Sequence, residues 1–120
     1  MDLDLLADRL GCAVILREPP GGRWGAYDAA SGTIHLHPLL GPAQRRSVLA
    51  HEIGHHIHRH HASTPRAEAE ADAVAHWLTI PLCTMLKVAQ SHPSVQAIAH
   101  ELELMPEDVE SYVRRLLRQG

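Results

Sequence analysis

Residues 43–60 read AQRRSVLAHEIGHHIHRH, and their spacing decides what the centre of the chain becomes. Val48, Leu49, Ile53 and Ile57 recur at three- and four-residue steps, the period of an amphipathic helix. Inside that helix lies the run His51-Glu52-Ile53-Gly54-His55. Side chains four apart on a helix are offset by about 40° and stand one turn apart. Both imidazoles can therefore reach one ion at about 2.0–2.1 Å, the distance of a zinc–nitrogen bond. Glu52 is turned about 100° from His51, outside that ligand shell but within reach of a water on the ion. Neutral imidazoles leave zinc its full charge, which acidifies such a water. A carboxylate at position 52 can take the proton and pass it to a leaving amine.

Histidine bias tempers this reading. The chain has 11 histidines, seven of them between His51 and His76, so a histidine-rich surface helix is the bland alternative. With this composition, chance alone supplies about 0.07 such runs per chain. A third ligand has to carry the argument. His61 would extend the run to H-E-x-x-H-x-x-G-x-x-H, but His58 stands where that pattern needs glycine to turn the chain back. The better candidate is Glu68, in Glu68-Ala-Glu70-Ala-Asp72. Glu68 and Asp72 share a helix face while Glu70 points to the far side. Glu68 can complete a His₂Glu site, and Asp72 can accept a hydrogen bond from the free ring nitrogen of a ligating histidine. An acidic, solvated helix start is the competing account. Against it, Ala69, Ala71, Ala73, Val74 and Ala75 are small residues suited to close packing on the histidine helix.

Outward from these two helices the pattern is mixed. Residues 2–10 place Leu3, Leu6 and Leu10 at helical spacing, with Gly11 as a C-cap. Residues 12–17 (CAVILR) read as a buried strand, and Pro19 to Gly22 as a loop. Residues 23–27 and 33–37 flank a short loop ending in Gly32, a hairpin signal. Pro38 to Pro42 is a break. Thr64 followed by Pro65 predicts an N-cap and first turn for a helix running to Thr79 and stopping before Pro81. Helical pieces follow at 82–90, 94–103 and, past Met105-Pro106, up to Arg118.

At 120 residues the chain reads as one domain, 1–120. It has no Phe and two each of Trp and Tyr, so the core is aliphatic, which favours helices. A net charge of −3 offers no broad basic field to nucleic acid or anionic lipid. No apolar run approaches the roughly 18 residues of a membrane span, and the acidic N-terminus lacks a leader pattern. Cys12 and Cys83 lie far apart and read as free thiols of a reducing cytosol.

Several of these segments together resemble the ImmA/IrrE-type zinc metallopeptidases. The likeness includes Leu49-Ala50-His51-Glu52-Ile53-Gly54-His55-His56 and the stretch from Glu68 to Ala75. It includes Leu78-Thr79-Ile80-Pro81, similar to the family's L-L-M-P, and Gly25-Ala-Tyr27-Asp28 followed by Thr33-Ile34-His35-Leu36. It spans about residues 3–118. Val74 replaces the family's usual Phe, and Thr79 its second Leu. The resemblance implies His51, His55 and Glu68 as ligands of Zn²⁺ and Glu52 as base. It further implies a bacterial or phage cytoplasmic endopeptidase that cuts a helix-turn-helix transcriptional repressor at one site.

The expected architecture is α+β and zincin-like. A small three-stranded sheet covers the histidine helix, the Glu68 helix crosses behind, and the C-terminal part is helical. His56, His58, His60 and His61 are expected to face solvent. Tyr27 and His35 on the hairpin are candidate substrate contacts, and His76, two turns past Glu68, is a candidate oxyanion donor or a packing residue. A free hairpin edge would let an extended peptide add as a strand. Residues 94–118 look like a helix-turn-helix, yet 94–117 carry five acids against two arginines, so direct nucleic-acid contact is not expected. The rival class is a non-catalytic regulator of a repressor or DNA, with structural metal or none; an intact Glu52 argues against it.

Overall fold

The computed structural model describes residues 2–80, 82–92 and 94–119, and for residues 82, 83, 116, 117 and 119 the backbone alone. The expected stop at Pro81 and the thiol of Cys83 lie outside the described residues. Asp2 caps helix α1 (Leu3–Arg9), its carboxylate accepting from the Leu5 N–H at 3.1 Å. Gly11, at φ 82°, turns the chain into strand β1 (Ala13–Leu16). This is not the buried strand its apolar run suggests. β1 is an edge, hydrogen-bonded to one neighbour, and Ile15 and Leu16 are exposed. Cys12 is buried beside it as a free thiol.

Strands β2 (Gly25–Asp28) and β3 (Thr33–Leu36) form the hairpin. Asp28 holds its turn by accepting from the Ala30 N–H at 3.0 Å and the Ser31 hydroxyl at 2.9 Å. Gly32 then closes it at φ 66°. The strand order is β1-β3-β2, with β1 parallel and β2 antiparallel to the central β3. β2 is therefore the second edge. Gly25 opposes Leu36 and Tyr27 opposes Ile34, so these four share one face of the sheet. Ile34 and Leu36 are fully buried there with Leu49 and Ile53 of helix α2 (Pro42–His58).

Helix α2 starts with Pro42 at its first position, and the Gln44 side chain accepts from the Gly41 N–H at 3.2 Å. Helix α3 (Pro65–Thr79) starts as its sequence dictates, Thr64 Oγ1 accepting from the Ala67 N–H at 3.0 Å. The two helices pack closely along Ala50, Gly54, Ala71 and Ala75. A Cβ on Gly54 would lie 2.6 Å from the Ala71 carbonyl oxygen, so only glycine permits this approach.

Helices α4 (Leu82–Ser91), α5 (Val95–Leu102) and α6 (Pro106–Gln119) complete the α+β fold. They enclose a second apolar cluster built on Ile80, Met85, Ile98, Leu104, Val109 and Tyr112. The chain passes from α5 to α6 through Glu103 at φ 56°. Among the described residues no helix is long and apolar enough to cross a membrane.

Candidate metal centre

Packing of α2 on α3 brings four side chains to one point. His55 Nε2 lies 3.1 Å from His51 Nε2, and the Glu68 carboxylate reaches both rings, at 3.2 Å from His51 Nε2 and 3.0 Å from His55 Nε2. Ligands about 2.0–2.1 Å from a tetrahedral ion stand about 3.3 Å from each other. The three side chains are thus spaced as the corners of one coordination shell. His51, Glu52 and His55 also place candidate ligand atoms within 4.8 Å of one another. Glu52, however, comes only to 3.9 Å of His55 Nε2, farther than Glu68. Proximity favours Glu68 as the third corner, while Glu52 stands to one side.

The surroundings fit a cation. His51 Nδ1–H donates to Asp72 Oδ1 at 2.7 Å, which leaves the Nε2 lone pair facing His55 and Glu68. Burial works against charge on His51, but the bond to Asp72 and the carboxylates of Glu52, Asp72 and Glu68 outweigh it and push its pKa up to about 9. The carboxylates that favour a positive charge on His51 favour a cation beside its ring in the same way. Asp72 is held below the usual carboxylate range: burial opposes this, and the hydrogen bond and charge of His51 prevail. His55 is lowered, first by burial and then by the charge of His51.

Glu52 is 5 % exposed, and burial, against the pull of His51, pushes its pKa up to about 7. Among the described residues its buried Oε2 has no hydrogen-bond partner. A buried orphan acceptor beside a ligand cluster is where a water held by a metal would sit. The donor set therefore fits zinc: two imidazoles, one carboxylate, and a free carboxylate next to the remaining corner.

These groups open into a cleft of about 690 Å³. One wall is the edge of β2 with Arg23 and Trp24 just before it, and it passes directly over the site: a Cβ on Gly25 would lie 2.4 Å from Val48 Cγ1 and 3.4 Å from Glu52 Cγ. The far wall brings Met105, Glu107 and Asp108, which no motif or spacing in the chain places there.

The remaining candidates fall elsewhere. Tyr27 lines the cleft, but its hydroxyl donates to His56 Nδ1 at 2.7 Å. His35 sits on the sheet face opposite Ile34 and Leu36, away from α2 and the cleft, because alternate residues of a strand point to opposite faces. His76 is buried against Tyr112 and does not line the cleft; burial, then Arg115, lowers its pKa. His61 is at the exposed rim, and no coordination-range contact joins it to His51 or His55 among the described residues. The chain turns at Arg59 (φ 54°), one residue past the position at which the longer motif needs its glycine.

The solvent-facing expectation fails for two histidines. His56 is 9 % exposed, donates from Nε2 to the Leu10 carbonyl at 2.8 Å, and ties α1, β2 and α2 together. His60 is drawn inward against His55 and Glu70. His58 is exposed. His56 faces Leu10 and Tyr27 from within α2, and His60 is turned inward just past the helix end at Arg59; sequence spacing alone locates neither set of neighbours.

A comparison with curated proteins gives no significant match. The profile of the Peptidase M78 family, described as an IrrE N-terminal-like domain, matches residues 7–111, which include both helices of the centre, the sheet and most of the C-terminal helices. The chain belongs to the IrrE N-terminal-like family of metallopeptidases.

Proposed function

We propose that this chain is a zinc-dependent endopeptidase in which His51, His55 and Glu68 hold the ion, Glu52 is the general base, and Asp72 fixes the tautomer of His51. The observation that carries the reading is the 3.0–3.2 Å convergence of the two Nε2 atoms and the Glu68 carboxylate beside the orphaned Oε2 of Glu52. Zinc, when bound there, supplies a Lewis acid that acidifies water and polarises a peptide carbonyl. Glu52 Oε2 accepts the proton of the attacking water and returns it to the departing amine. Its raised pKa suits both directions of transfer near neutral pH. The β2 edge presents unpaired backbone groups along the cleft, so it can seat an extended peptide by strand addition.

The substrate we propose is a co-encoded helix-turn-helix repressor, cut once in an exposed linker, in the cytoplasm. An edge strand binds extended chain, which folded unrelated proteins do not offer. The acids at 107 and 108 line the cleft and α5–α6 carry few cations, which supports a protein substrate over direct DNA contact. The test is to incubate the protein with the product of the neighbouring repressor gene, with and without chelator. A single cleavage that chelator abolishes is expected. Salt-sensitive DNA binding with no proteolysis would establish the non-catalytic regulator instead.

A further inference from the structure

His55 Nδ1 lies 2.9 Å from His60 Nδ1, and His60 Nε2 lies 3.1 Å from Glu70 Oε1. One arrangement of protons satisfies both contacts and leaves His55 Nε2 bare for a metal. His55 Nδ1–H donates to His60 Nδ1, and His60 Nε2–H donates to Glu70. We propose that His60 is a positioning residue of the metal centre, holding the His55 ring by its back nitrogen and itself anchored by Glu70. The inference rests on the ligand assignment above. It makes the site symmetric in its support. Asp72 braces one ligand ring directly, and Glu70, two residues before it on α3, braces the other through a histidine. Ligating imidazoles commonly need such a partner on the second nitrogen, and its loss typically costs 10–100-fold in metal affinity.

The backbone is bent to deliver this contact. Arg59 adopts φ 54°, ψ 46°, a left-handed conformation that disfavours residues with a Cβ. The turn lets the His60 N–H donate to the His55 carbonyl at 3.0 Å, so side chain and backbone of His60 both close on the same residue. Its side chain is 13 % exposed, whereas His58 beside it is 38 % exposed, stacks on the His60 ring at 5.2 Å and comes only to 3.8 Å of Glu70 Oε2, farther than His60 Nε2 at 3.1 Å.

The test is zinc affinity by competition with a chromogenic chelator, together with the visible spectrum of the cobalt-substituted protein. His60→Leu is expected to weaken zinc 10–100-fold and to alter the cobalt bands. His60→Gln, whose amide oxygen can still accept from His55 Nδ1–H, should recover much of the affinity. Glu70→Ala should weaken zinc less than His60→Leu, and adding it to His60→Leu should change nothing further. His61→Ala should have no effect. If His60→Leu fails to fold, His60→Gln and Glu70→Ala decide by the same readings. Wild-type affinity and spectrum in His60→Leu would overturn the proposal. So would a second bound zinc that disappears with His60, since its Nε2 would then be a ligand rather than a donor to Glu70. His51→Ala separates the two claims. If it leaves zinc bound, the ligand assignment itself fails; if it empties the site while His60→Leu does not, only the positioning role fails.

Discussion

Gly54 of α2 lies against the backbone of Ala71 of α3, so close that a Cβ would stand 2.8 Å from the Ala71 Cα and 2.6 Å from its carbonyl oxygen. The opposing atoms are backbone and cannot rotate aside. Gly54→Ala should therefore force the helices apart, at a cost of about 1–3 kcal/mol for overpacking. Because Glu68 and Asp72 ride on α3, the same displacement should weaken zinc by about tenfold or more. Urea unfolding and chelator competition on one sample check both. Unchanged zinc affinity would show that the seam does not set the ligand geometry.

Glu52→Gln keeps shape and removes the proton acceptor. It should retain zinc and lose about 10²–10⁴-fold in cleavage rate. Glu68→Gln should instead lose zinc together with activity. Metal analysis beside a cleavage assay separates the two roles, and zinc loss in Glu52→Gln would contradict the one given to Glu52.

Much of this was legible beforehand, and the exceptions have physical causes. Helical period and the Thr64-Pro65 start located α2 and α3, and the i,i+4 spacings put His51 with His55 and Glu68 with Asp72. Period alone, however, cannot say where a helix loses cover: Ile57 continues the apolar series yet is 46 % exposed, past the reach of the sheet. The run Ala13–Leu16 is apolar without being buried, because edge position is a property of strand order. The inward turn of His60 depends on Arg59 adopting a conformation for which arginine carries no signal. Thr79, which stands where a family leucine is usual, is buried with its hydroxyl donating to the Ala75 carbonyl at 2.7 Å, so the core tolerates it.

Tyr27→Phe separates a structural from a substrate-side role. Removing the hydroxyl leaves buried His56 Nδ1 without its 2.7 Å donor. The expected cost is about 1–2 kcal/mol of stability, with zinc retained. A drop in activity with stability unchanged would assign Tyr27 to the substrate instead.

His76 predicts an acid-sensitive fold. Its pKa is lowered by burial and by Arg115, with Asp72 and Asp108 pulling weakly the other way and His51 adding to the decrease. A depressed folded value means that both states are neutral above the ordinary pKa of about 6.5, where stability is complete. As pH falls below it the unfolded chain takes the proton first, and stability is lost. The urea midpoint should fall more steeply between about pH 7 and pH 5 in the native protein than in His76→Met. Parallel slopes would remove His76 from the acid response.

The apolar interior is divided: one cluster lies between the sheet, α2 and α3, the other among α4, α5 and α6, and the cleft touches both sides. Whatever fills the cleft between β2 and the start of α6 is held by two separately packed bodies at once. A ligand present at a hundred times its dissociation constant adds about 2.7 kcal/mol to the state that binds it. That gain falls on the junction, which neither interior secures by itself. Slowed amide exchange in α5 and α6 is then the signature of an occupied cleft, written in helices that carry none of the ligands.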